Sequence, residues 1–137
     1  MSDSSNLMIK TVMHPLPHSI GATQNLATAK EIMAEHGIRH LPVLEGGALV
    51  GILSDRDIHF STSVDKVPAD QILVRDCFTP EPYIVEGNTL VSEVAKVMAH
   101  QQLGCALVVE NSKLIGIFTA VDACRLLSEV LSGEMEQ

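Results

Sequence analysis

Residues 50–58 read "VGILSDRDI", and residues 115–123 read "IGIFTAVDA". Both place a glycine, two apolar residues, a hydroxyl and, three positions further on, an aspartate in one register. The first copy adds Asp55 and Arg56, where the second has Ala120 and Val121. Ser or Thr followed three residues later by an acid is the pattern of a helix capping box. A helix N-terminus also attracts anions through its free N–H groups and dipole. A carboxylate there suits a ribose diol, since it accepts two hydrogen bonds. From spacing alone the stretch is either a cap, a phosphate cradle or an acidic cluster.

The echo extends well beyond the motif. A shift of 65 positions lays the chain on itself without a gap, and ten of the 46 positions from 12 to 57 are identical. Pro15 meets Pro80, Pro17 meets Pro82, Met33-Ala34 meets Met98-Ala99, Val43 meets Val108, and Gly51-Ile52 meets Gly116-Ile117. Such a repeat defines the architecture before any single element does.

Each copy opens with a Pro-rich extended piece, "HPLPHSI" or "TPEPYIV". A helix is predicted from Thr23 or Asn88, both N-cap types. Its buried face is Leu26, Ala29 and Met33 in one copy and Val91, Val94 and Met98 in the other. Gly37 marks the end of the first helix. A hairpin follows, turning at Glu45-Gly46-Gly47 or Glu110-Asn111-Ser112, with second strands Leu49–Leu53 and Leu114–Phe118. A last helix starts at Ser54 or Thr119; in the second copy Val121, Cys124, Leu127 and Leu131 make an apolar stripe ending near Gly133. The fold class is α+β in layers, two β-α-β-β-α repeats packed by a pseudo-twofold. The expected organisation is a disordered tail with the start of the first strand over 1–9, repeats at 10–60 and 75–132, a linker at 61–74 and a tail at 133–137.

With 137 residues the chain can bury roughly two-thirds of its unfolded surface and needs no staples. A net charge of −8 argues against nucleic acid or an anionic membrane as a partner. Three cysteines without C-x-x-C spacing fit reduced core thiols and a cytoplasmic location. The longest apolar runs, about five residues, are far short of a membrane span. Asp55 and Asp57 lie two apart and would point to different sides of a helix, and the echo keeps only one, so a catalytic pair and an enzymatic role are not expected. His14 and His18 are separated by prolines and His36 and His40 by Gly37, which gives no metal-binding spacing.

Two repeats, each ending G-h-h-[ST]-x-x-D, make the chain resemble a CBS-domain pair (cystathionine β-synthase domain tandem, or Bateman module). The residues are Gly51-Ile52-Leu53-Ser54-x-x-Asp57 and Gly116-Ile117-Phe118-Thr119-x-x-Asp122. The stretch "GIRHLPVLEGGALVGILSDRD", residues 37–57, is typical of the family throughout. The resemblance implies a regulatory, energy-sensing module that binds AMP, ADP or ATP in clefts between the repeats, or an S-adenosylmethionine-type ligand. It implies a homodimer; a length of 137 residues leaves no room for another domain, so a stand-alone pair is expected, signalling through an effector protein. A dimer with vestigial clefts is the alternative.

In that family the motif Asp holds ribose hydroxyls and the Ser or Thr holds phosphate or ribose, which implies those roles for Asp57, Asp122, Ser54 and Thr119. Adenine would lie among apolar residues of the opening segment and first hairpin strand: Ile20, Ala22, His40, Leu41 and Pro42, with Val85, Ala106 and Leu107 in the second copy. Phosphates in so acidic a chain need a cation, for which Arg56 and Arg39 are the candidates. Alternatively Arg56 pairs with Asp55 on a solvated helix face. The second copy has Val121 and Gly104 at those positions, so the Ser54/Asp57 site is expected to suit charged phosphates better.

Overall fold

Chain segments cross over between the two repeats, so each folded unit is completed by a piece from outside its own copy. The computed structural model describes residues 6–15 and 17–133. One unit is Pro17–Pro82; the other joins Met1–Leu16 to Tyr83–Gln137. They are called here the Asp57 unit and the Asp122 unit.

In the Asp57 unit, β2 (Ile20–Gly21) leads through a turn to α1 (Leu26–His36), then to the hairpin of β3 (His40–Glu45) and β4 (Ala48–Ser54), then to α2 (Asp55–Asp65) and β5 (Thr79–Pro80). The sheet order is β2-β3-β4-β5, with β2 parallel to β3 and the other pairs antiparallel. Helix α1 begins at Asn25, two residues after the expected Thr23, and the Asn25 side chain accepts from Thr28 N. Thr23 lies in the preceding turn, where Gln24 N donates to Gly21 O. The αL conformation of Gly37, φ 63°, ends the helix as expected. Gly46 and Gly47 both have positive φ, the requirement of a two-residue hairpin turn with the twist of its strands.

The Asp122 unit repeats this plan with β6 (Ile84–Glu86), α3 (Val91–Gln101), β7 (Cys105–Glu110), β8 (Lys113–Thr119) and α4 (Ala120–Ser132). Its fourth strand is β1 (His14–Pro15), and the sheet order is β1-β8-β7-β6. Helix α3 is capped at Leu90 rather than Asn88 and has no side-chain cap. Asn111 and Ser112 adopt the positive φ that glycines supply in the other hairpin.

The crossover is reciprocal. Strand β1 pairs His14 with Ile117 and Pro15 with Gly116; β5 pairs Thr79 with Ile52 and Pro80 with Gly51. All four pairs map onto each other under the 65-residue shift. The Pro-rich opening piece is thus two short strands, one for each unit. Glycine is required where they meet. A Cβ on Gly51 would strike the Phe78 ring and lie 2.5 Å from Thr79 O; one on Gly116 would strike Met13 Sδ and lie 2.8 Å from His14 O. These glycines admit a neighbouring strand.

Residues 6–9 of the expected tail and much of the expected linker are structural. Ile9 is fully buried, and Ile9 N donates to Thr89 O at 2.8 Å. Only residues 1–5 of that tail, and 134–137 of the other, lie outside the described residues. Within 61–74, helix α2 continues to Asp65, and Ile72 and Val74 join the core of the Asp57 unit. Leu26 N and Val74 N tie the two segments together through Ile72 O and Gln24 O. The α4 stripe is reversed relative to a packed face: Val121, Cys124, Leu127 and Leu131 are exposed, and Ala123 and Leu126 pack on the core. No helix among the described residues is long and apolar enough to cross a membrane.

Candidate functional site

The two motifs lie where each hairpin's second strand turns into a helix. In both, the strand's last residue is the N-cap. Ser54 Oγ accepts from Asp57 N at 3.0 Å, and Ser54 N donates to Asp57 Oδ2 at 3.0 Å. Thr119 Oγ1 accepts from Asp122 N at 3.1 Å, and Thr119 N donates to Asp122 Oδ2 at 2.9 Å. Both are complete capping boxes. The following amides are also matched: Asp55 N donates to Arg39 O at 3.0 Å and Ala120 N to Gly104 O at 2.9 Å. The cap therefore occupies Oδ2 of each carboxylate and leaves Oδ1 to other partners.

They have different amounts left. The Asp57 Oδ2 also accepts from Thr79 Oγ1 at 3.4 Å, and Oδ1 has no hydrogen bond among the described residues. Asp122 is buried, and its Oδ1 accepts from His14 Nε2 at 2.9 Å and Arg125 Nη1 at 3.0 Å. His14 and Thr79 are equivalent under the repeat, each brought to the motif by the crossing strand. Arg125 stands where the other copy has Phe60. His14, Thr79 and Arg125 are absent from the sequence-derived site. The first two lie over 20 residues from their aspartates, 108 residues in the case of His14. Their shared repeat position was the available signal.

Around Asp57 the cations are Arg39 and Arg56. Both are exposed, and neither forms a salt bridge with a described residue, so Arg56 does not pair with Asp55. His40 faces Ser54 across the hairpin. Burial holds its pKa below the usual 6.5; the carboxylates of Asp55 and Asp57 oppose that shift, and Arg39 adds to it. The imidazole at this site is thus neutral at neutral pH. The equivalent residue beside Thr119 is Cys105, whose thiol burial pushes up to about 12.

The apolar site candidates are interior residues. Ile20, Ala22, Leu41 and Pro42 in one unit, and Val85, Ala106 and Leu107 in the other, are all buried. A cavity of about 420 Å³ lies in the Asp57 unit between residues 19–24 and 44–47. It touches Ile20 and Ala22 but sits at the turn end of β3, about 13 Å along the strand from His40. The motif and this cavity are separate places. Among the described residues no three His, Cys, Asp or Glu side chains group as metal ligands would. His18 and His36 instead stack ring on ring, 3.6 Å between centroids.

The family profile described as "CBS domain" matches residues 9–60 and 74–129. The chain belongs to the CBS-domain family. Its first match begins at Ile9, the buried residue of the supposed tail. A relative, the inosine-5'-monophosphate dehydrogenase of Korarchaeum cryptofilum, is 34% identical over 105 residues, 76% of this chain. The chain spans only 21% of that enzyme's length. Among solved structures, a conserved protein from Pyrococcus horikoshii is 27% identical with a TM-score of 0.80, covering 92% of this chain and 94% of its own. CBSX2, solved in complex with AMP, is 26% identical with a TM-score of 0.73, covering 90% of this chain and 97% of its own. The mixed α+β architecture of the described residues, four α-helices and two small sheets, matches that of CBS-pair structures.

Proposed function

We propose that this chain is a non-enzymatic regulatory module that binds an adenine nucleotide, AMP, ADP or ATP, at the Ser54/Asp57 motif. The observation that carries this is the open Oδ1 of Asp57, held in place by a capping box that uses only Oδ2. A ribose diol donates to that oxygen. Arg39 and Arg56, both exposed and unpaired among the described residues, meet the phosphates. The half-buried His40 stands on the adenine side, with the interior residues Leu41 and Pro42 behind it, whereas Ile20 and Ala22 line the separate cavity at the other end of β3. Val85, Ala106, Leu107, Thr119 and Asp122 are the corresponding residues of the second copy. The complex of CBSX2 with AMP supports this choice of ligand. An S-adenosylmethionine-type ligand shares the adenosine but offers the two arginines a single carboxylate in place of phosphates.

A module of this kind signals by favouring one conformation or assembly over another. Homodimer contacts are proposed at the exposed Phe60 and Val64 of α2 and, in the other unit, at the exposed Val121, Leu127 and Leu131 of α4. An effector protein reads the ligand state of that assembly. The proposal extends to an energy-sensing role, and the three thiols without C-x-x-C spacing favour a cytoplasmic setting.

Thermal melts with AMP, ADP, ATP and S-adenosylmethionine test the proposal. At 100 times its Kd a ligand adds roughly 2.7 kcal/mol, a rise in Tm of several degrees. A chain whose melt no adenine compound moves at millimolar concentration, and whose partner binding survives Asp57→Ala, is instead an interaction dimer with vestigial sites.

A further inference from the structure

We infer that His14 and Arg125 hold the second copy of the motif closed, so that one chain takes one adenine ligand, at Asp57. This rests on the ligand reading above and adds which copy is competent and what disables the other. Asp122 uses Oδ2 for its capping box, and its Oδ1 receives donors from both His14 and Arg125. A carboxylate oxygen has two lone pairs, so this one is full. A diol reaching Asp122 must first displace a donor; a diol reaching Asp57 displaces none from Oδ1.

The contact follows from the fold. His14 is fixed at the backbone by β1, where it pairs with Ile117 and its carbonyl covers Gly116. The same position in the other unit is Thr79, whose shorter hydroxyl reaches Oδ2 at 3.4 Å and leaves Oδ1 clear. Arg125 is anchored one helical turn beyond Asp122, and its counterpart Phe60 has no donor to offer. At the two positions that close one site, the other carries Thr79 and Phe60, which leave Asp57 Oδ1 clear. His14 and Arg125 are 63% and 57% exposed, so removing them leaves the core intact.

The test uses AMP as the probe, with isothermal titration and native mass spectrometry on four full-length proteins. These are the wild type, Asp57→Asn, His14→Thr/Arg125→Ala, and the triple variant. The wild type should bind one AMP per chain, and Asp57→Asn should weaken it by at least roughly tenfold, 1.4 kcal/mol. The double variant should bind two, and the triple variant one. His14→Thr alone, which imitates Thr79, serves if the double variant does not fold, and should already show a second, weaker AMP. Two equivalent AMP sites in the wild type would overturn the inference while leaving the ligand reading intact. So would a count that stays at one after His14 and Arg125 are replaced, or a single site lost in Asp122→Asn but not in Asp57→Asn. If none of the proteins binds AMP at millimolar concentration, the ligand reading falls and the closed site with it.

Discussion

Asp57 and Asp122 stand at the third position of two helices built alike, capped alike and each crossed by a short strand from the other repeat. Their surroundings then diverge. Thr79 touches the oxygen of Asp57 already used by the cap, whereas His14, with Arg125, fills the second oxygen of Asp122. Across the hairpins, a neutral His40 faces one motif and a protonated Cys105 the other. The shared features are backbone features: the glycine, the cap and the strand register. What varies is side-chain chemistry at equivalent positions. A duplicated fold can thus keep its framework while its two carboxylates diverge, one with an oxygen left open and one tied to its own chain.

The framework itself is the most sensitive to change. Gly51→Ala should cost about 3 kcal/mol, because the new methyl meets an aromatic ring and the Thr79 carbonyl at 2.5 Å. Gly116→Ala should cost less, about 1–2 kcal/mol, since the Met13 thioether can move aside. Urea denaturation of both variants checks the order. Equal losses would mean that the crossing strands yield equally in the two units.

The carboxylates come next. Asp122→Ala strips a buried group with three donors and should cost about 2 kcal/mol; Asp57→Ala loses mainly a cap partner, about 1 kcal/mol. Thermal melts in the absence of ligand read the difference directly. A larger loss at Asp57 would reverse the comparison.

A smaller effect separates the facing residues. His40 has a folded pKa below its unfolded 6.5, so the unfolded chain binds the proton more readily. Stability contributed by the neutral imidazole is present above pH 6.5 and falls away as the pH drops from there toward the folded pKa. His40→Gln should flatten the wild-type decline in stability below pH 6.5, as followed by denaturant midpoints across pH. A variant with an unchanged slope would show that His40 does not titrate as described. Cys105, raised to about 12, contributes nothing in that range.

The least perturbing check is chemical. At neutral pH a thiol-alkylating reagent should modify the exposed Cys124 readily and leave the buried Cys105 untouched until the chain is denatured. Rapid labelling of Cys105 in the native protein would place it outside the protected strand.

Much of this was legible in the sequence because it is local. The capping boxes at Ser54 and Thr119, the glycine stop at residue 37 and the buried faces of α1 and α3 each depend on spacings of a few residues. The crossing strands were not. Two-residue strands such as His14–Pro15 and Thr79–Pro80 have no periodicity to detect, and their partners are distant in the chain. The glycines at 51 and 116 carried the clue, but a glycine that admits a strand and one that admits a ligand look the same in sequence. The apolar Ile9, Ile72 and Val74, set in a polar tail and linker, were core residues awaiting a partner segment. The closure of Asp122 needed the crossover, since only the fold brings His14 across 108 residues.

A crystal structure of the chain grown with AMP addresses the inequality of the two motifs most directly. The expected complex has the AMP ribose on Asp57 Oδ1, and His14 still within hydrogen-bond reach of an unliganded Asp122. AMP bound at Asp122 with His14 displaced, and Asp57 empty, would contradict it.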